Sequence, residues 1–186
     1  MPISVLGLYW HYFYKERKST LENKSLGKLI GDMLVEKGLS IAVAESCTGG
    51  LIGNLLTDVP GSSRYFFGGV IAYSNRAKVD ILGVSSETIE TYGAVSPRTA
   101  EEMAQGVKNR FYSHLGLAVT GIAGPDGGTG EKPVGTVFIG LAVEKDLFSG
   151  GYRFHGTRER VKWQSAEMAL DWIKRYLNAD PFLPGI

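Results

Sequence analysis

The sequence predicts a single α/β domain in which a mixed sheet carries helices on both faces. Three observations carry this reading. Apolar runs of strand length alternate with helically periodic stretches through the first two thirds of the chain. Two strand-like runs, "TVFIGLAVE" and "GGYRFHG", then follow one another with no helix between them, which reads as a hairpin. The chain has 186 residues, 44% of them apolar, enough for one sizeable core.

The elements follow in order. Leu26, Leu29, Ile30, Met33 and Leu34 recur at helical spacing within residues 21–37, and Gly38 stops that helix. "LSIAVAE" is a short apolar strand. Residues 48–57 read as a helix stopped by "DVPGSS", and "GGVIAYS" as a second strand. "NRAKVDILG" and "SSETIETYG" are short helices, each ending at glycine. "SPRTAEEMAQGVKNRFY" opens with Ser96 as N-cap and Pro97 at the first helical position. "LGLAVTG" is a third strand, leading into the long loop "IAGPDGGTGEKPVG". "TRERVKWQSAEMALDWIKRYL" is a long final helix with Val161, Ala169, Trp172, Ile173, Tyr176 and Leu177 among its apolar positions.

Composition removes several function classes. Twenty basic residues face 19 acidic ones, so no field favours nucleic acid or an anionic membrane. One cysteine excludes an internal disulfide framework and a multi-thiolate metal site. His11, His114 and His155 lack ligand spacing, so neither a metal nor another cofactor is expected. No run reaches the roughly 18 apolar residues of a membrane span. Residues 1–20 place an apolar, aromatic stretch before Lys15, Arg17 and Lys18, the reverse of a signal peptide, and the chain is expected to be cytoplasmic. These residues form an N-terminal extension with no assigned role; residues 21–178 form the domain and 179–186 a tail. Glycine is over-represented, at 25 of 186 residues, and clusters at corners where backbone turns tightly or approaches something closely.

Four segments hold more chemistry than geometry demands. In "AVAESCTGGLIG" an acid, two hydroxyls, a thiol and a glycine pair share one strand-to-helix corner. Ser46 there is either a helix cap or a nucleophile facing helix-start N–H groups; Cys47 is either the rival nucleophile or a small buried apolar residue. "AYSNRAK" places Tyr73, Asn75 and Lys78 after a strand. Lys78 is either a solvated helical lysine or, buried, a base. The loop after Thr120 lacks the Walker and dinucleotide patterns, and its glycines suit either a ligand or plain turns. Arg158 and Arg160 begin the last helix, where cations oppose the helix dipole; they serve an anion or are surface charge.

"AESCTGGLI", "PGSSRYFFGGVIAYSNRAK", "GAVS" and "TGIAGPDGGTGEKPVGTV", in this order and spacing, resemble the CinA C-terminal domain family and its PncC-type nicotinamide mononucleotide deamidases. The resemblance covers residues 21–178. It implies a three-layer α/β/α sandwich with a mixed, mostly parallel sheet. It implies hydrolysis of nicotinamide mononucleotide to nicotinate mononucleotide and ammonia, with water as co-substrate and no metal. Carried onto this chain, Ser46 is the nucleophile, Lys78 the base and Tyr73 an assistant. Cys47, Thr48, Gly49, Gly50, Asn75, Thr120, Gly121 and Gly124 line the substrate, and Arg158 or Arg160 holds its phosphate. A homo-oligomer is expected, without nucleic acid or membrane partners. The alternatives are an inactive nucleotide-binding module and an interaction domain working with competence or recombination proteins.

Overall fold

The computed structural model describes residues 26–179; the N-terminal extension 1–20 and the tail beyond residue 179 lie outside the described residues. Helical residues 26–36 (α1) lead to β1 (Ile41–Glu45), then α2 (Leu51–Thr57), a 3-10 turn at Ser62–Arg64 and β2 (Phe66–Ile71). Three helices follow: α3 (Asn75–Leu82), α4 (Ser86–Tyr92) and α5 (Pro97–Phe111). β3 (Leu115–Gly121), β4 (Thr136–Ala142), β5 (Leu147–Arg153) and α6 (Arg158–Leu177) complete the domain. No helix among the described residues is long and apolar enough to cross a membrane.

The sheet runs β2-β1-β3-β4-β5. β1 pairs parallel with β2 and β3, while β3–β4 and β4–β5 are antiparallel. Parallel and antiparallel pairings are therefore evenly split, where the resemblance implied a parallel majority. The reason is local: β3, β4 and β5 follow one another without a crossover helix. One face packs α1, α2 and α6 around Ile30, Leu34, Val43, Ile52, Leu117, Val119, Ile139 and Trp172. The other packs α3, α4 and α5 around Ala42, Ala44, Leu82, Met103, Ala104 and Val107. The three-layer sandwich is thus present.

Local chemistry explains the helix starts. Ser74, Ser96 and Thr157 accept from the N–H groups of Ala77, Thr99 and Arg160. Pro97 takes the first position of α5, as its fixed φ favours. Two strand glycines let α5 lie directly on the sheet: a methyl on Gly116 would stand 2.1 Å from the Ala104 carbonyl oxygen, and one on Gly140 2.3 Å from that of Ala100.

Topology also sets a switch point. From β1 the chain crosses one face, by α2, to β2 on its left; from β2 it crosses the other face, by α3–α5, to β3 on β1's other side. The carboxyl ends of β1 and β3 flank the point where the connections diverge. Open α/β sheets bind ligands at such a point.

Candidate active site

Ser46 directly follows β1, and its N–H donates to the Val119 carbonyl of β3 at 2.9 Å, so its backbone is pinned between the two strands. Lys78 arrives from α3 after the β2 end. Its Nζ lies 3.1 Å from Ser46 Oγ and 2.9 Å from the Ala72 carbonyl oxygen. Ala72 in turn donates its N–H to the Glu45 carbonyl at 2.8 Å, tying the two corners together. Lys78 is only 2% exposed and Ser46 7%. Burial holds the Lys78 ammonium below the ordinary 10.5, against a smaller opposing pull from Cys47. A buried lysine amine whose charged form is disfavoured, in contact with a serine hydroxyl, is an arrangement that can serve as base and nucleophile.

Cys47 is no rival. It is 5% exposed, and its pKa is pushed up to about 12, chiefly by burial. The thiol therefore stays protonated at neutral pH and lies away from solvent. Its side chain is part of the core cluster, so any substrate contact at this position falls to the backbone.

Glu45 carries a role that the sequence reading left unassigned. Its buried carboxylate accepts from the N–H groups of Gly50 at 2.9 Å, Ile52 at 3.1 Å and Gly53 at 2.8 Å. These are the start of α2, and a carboxylate complements that end of the dipole. The expectation that helix-start amides through Gly50 face a substrate is thereby corrected: the Gly50 N–H is already bonded. The Gly49 N–H closes a turn on the Ser46 carbonyl at 3.2 Å. The Cys47 and Thr48 amides are the ones that neither Glu45 nor this turn takes. An acid one residue before a serine and a glycine pair was the signal available in the sequence.

The remaining expected residues separate into neighbours of the pair and supports. Thr48 is fully buried, and its Oγ1 has no hydrogen-bond partner among the described residues. Thr120 is also fully buried, and its hydroxyl donates to the Ala94 carbonyl at 2.7 Å, fastening the "GAVS" segment to β3 rather than opening toward a ligand. Gly121 gives room to β4: a methyl there would stand 2.8 Å from the Thr136 carbonyl oxygen. Asn75 is exposed at the first position of α3. Gly49 turns at φ +65°, and a methyl on it would sit 3.6 Å from Lys162 Nζ.

Arg158, the first residue of α6, joins two other segments of this end of the sheet. Its Nη1 donates to the Gly124 carbonyl at 2.7 Å, and its Nη2 to the Tyr73 hydroxyl oxygen at 2.6 Å. Tyr73 is 59% exposed, so its ring borders solvent. Arg160 lies over Gly156, where a methyl would stand 2.9 Å from its Cδ. The loop 122–135 is closed at its base by Gly135 N–H to the Ile122 carbonyl at 2.7 Å, and Lys132 Nζ ties it to the Tyr92 carbonyl at 2.7 Å. Among the described residues, no group of three or more His, Cys, Asp or Glu side chains could hold a metal ion.

Comparison with known proteins gives a consistent family. Residues 23–177 match the CinA C-terminal domain. A CinA-like protein of Syntrophotalea carbinolica is 51% identical over 155 residues, which are 83% of this chain and 38% of that protein. A CinA-like protein of Synechocystis sp. is 51% identical over 161 residues, covering 85% and 39%. The chain thus spans less than half the length of these curated relatives. Among solved structures, the competence/damage inducible protein CihA from Agrobacterium tumefaciens superposes with a TM-score of 0.80 at 39% identity, covering 84% of this chain and 95% of that one. A CinA superfamily protein from Klebsiella pneumoniae gives 0.82 at 29% identity, covering 84% and 98%.

Proposed function

The chain belongs to the CinA C-terminal domain family, and from that premise and the Ser46–Lys78 contact we propose that it is a nicotinamide mononucleotide amidohydrolase. The observation that carries the reading is the buried Lys78 amine 3.1 Å from the Ser46 hydroxyl, at the carboxyl end of a parallel strand pair.

The chemistry follows from the contacts. A neutral Lys78 has two N–H bonds and one lone pair. One N–H donates to the Ala72 carbonyl, which leaves the lone pair to take the Ser46 proton. Ser46 Oγ then bonds to the amide carbon, and the carbonyl electrons move to oxygen. In this reading the backbone amides of Cys47 and Thr48, next in the chain after the nucleophile, meet that oxyanion. The Lys78 ammonium returns its proton to the departing nitrogen, and ammonia leaves as the C–N bond breaks. Water attacks the acyl-serine, again losing its proton to Lys78, and that proton finally restores Ser46. Tyr73 accepts from Arg158, which leaves its own O–H proton for another acceptor. The basic first turns of α6 supply the contacts for a phosphate.

The test is ammonia release from nicotinamide mononucleotide, with free nicotinamide as control. Release from the mononucleotide alone supports the reading. No release from purified, folded protein under any substrate concentration overturns it.

A further inference from the structure

The first turns of α6 offer three cations, and their surroundings differ. Both terminal nitrogens of Arg158 are bonded to the protein's own oxygens, at 2.7 Å and 2.6 Å. These bonds tie the Tyr73 corner and the Gly124 loop to α6, so Arg158 has the geometry of a strut. Arg160 lays its aliphatic stem back over Gly156. Lys162 is different. It lies four residues after Arg158, hence on the same helix face. Its Nζ stands 3.6 Å from where a methyl on Gly49 would be, above the turn whose first carbonyl belongs to Ser46. It is partly buried, and no acidic side chain pairs with it among the described residues.

An ammonium drawn partly out of water and left without a carboxylate is costly unless something anionic meets it. Gly49 contributes the space. Its φ of +65° and missing side chain leave the turn open directly beneath the nitrogen. We propose that Lys162, not Arg158, is the contact for the substrate's phosphomonoester, and that Arg158 is a positioning residue acting through Tyr73 and the Gly124 loop. This rests on the amidohydrolase reading above and specifies how that site selects a phosphorylated amide.

The experiment compares nicotinamide mononucleotide with its riboside in wild type, Lys162→Ala, Lys162→Arg and Arg158→Ala. A lost charge-assisted contact costs roughly ten- to a hundredfold. Lys162→Ala is expected to reduce the mononucleotide-over-riboside ratio of kcat/KM by that factor, and Lys162→Arg to restore most of it. Inhibition of riboside hydrolysis by inorganic phosphate is expected to weaken in Lys162→Ala. Arg158→Ala is expected to lower kcat/KM for both substrates alike and leave the ratio near wild type. An unchanged ratio in Lys162→Ala, or a ratio lost only in Arg158→Ala, overturns the proposal. If wild type releases no ammonia, the amidohydrolase reading fails, and calorimetric binding of the mononucleotide still decides about Lys162. Binding that weakens in Lys162→Ala supports the contact; unchanged or absent binding in both proteins overturns it.

Discussion

Two corners of this molecule each bury a charged side chain to 2% exposure, and they use it in opposite ways. At the β1–α2 corner, Glu45 accepts three backbone N–H groups. Both its oxygens are engaged by the fold. At the β2–α3 corner, Lys78 has one carbonyl and one hydroxyl as partners. Among the described residues no carboxylate pairs with it, and burial pushes it toward the neutral amine. A buried charge met by three N–H donors reads as scaffolding, whereas an under-compensated one beside a serine hydroxyl marks a candidate for chemistry. The corners are also coupled, since Ala72 bonds both the Glu45 backbone and the Lys78 amine.

The sharpest way to break this comparison is to remove the chemistry and keep the scaffold. Ser46→Ala is expected to lower kcat by about 10⁴-fold or more without loss of fold, measured by ammonia release and circular dichroism. Cys47→Ala is expected to retain most activity, because a thiol held near pKa 12 supplies no thiolate. A dead Cys47→Ala beside an active Ser46→Ala would reverse the assignment of the nucleophile. Lys78→Arg comes next, with an expected loss of about 10²–10⁴-fold. Arginine keeps the charge but cannot surrender its proton at working pH. A near wild-type rate would mean that charge, and not proton transfer, is required.

Removing the scaffold instead should act on stability first. Glu45→Gln keeps the shape but points an NH₂ group at backbone N–H donors. The expected cost is about 1–3 kcal/mol, read as a lower melting temperature, with activity falling only as the Ser46 turn loosens. A Glu45→Gln protein of unchanged stability and abolished turnover would place Glu45 in the chemistry and erase the contrast between the corners.

How much of this was legible beforehand depended on how far each interaction reaches along the chain. The Ser96-Pro97 start of α5 was readable because capping is local. Ser46 and Lys78 were readable as candidates, but only resemblance chose them, since 32 residues separate them and nothing in their spacing fixes a 3.1 Å contact. The Arg158–Tyr73 bond spans 85 residues, so an arginine that the helix start leaves as anion ligand or surface charge, and that the resemblance makes a phosphate contact, is found tied to another loop. Thr120, which the resemblance set against the substrate, hides its partner in the same way: the carbonyl of Ala94, 26 residues away, accepts from its hydroxyl. Glu45 was the recoverable omission, because its three donors lie within eight residues of it.

The smallest expected effect tests the Lys78 side of the comparison without any assay of turnover. In the unfolded chain Lys78 takes up a proton near the ordinary 10.5, whereas in the folded protein burial delays that uptake to lower pH. Between the two values the unfolded state binds more protons. Stability therefore rises with pH across that window and is progressively lost as pH falls from 10.5 toward the depressed folded value. Lys78→Met has no such proton. Its overall stability also reflects the Ala72 carbonyl left without its amine partner, so the absolute difference from wild type has no fixed sign. The pH dependence of that difference does. The melting temperature of Lys78→Met minus that of wild type is expected to grow as pH is lowered from about 10.5 toward neutrality. A difference that stays constant across this range would mean that Lys78 ionises as easily inside the protein as in water, and the buried amine would then be unsuited to take a proton from Ser46.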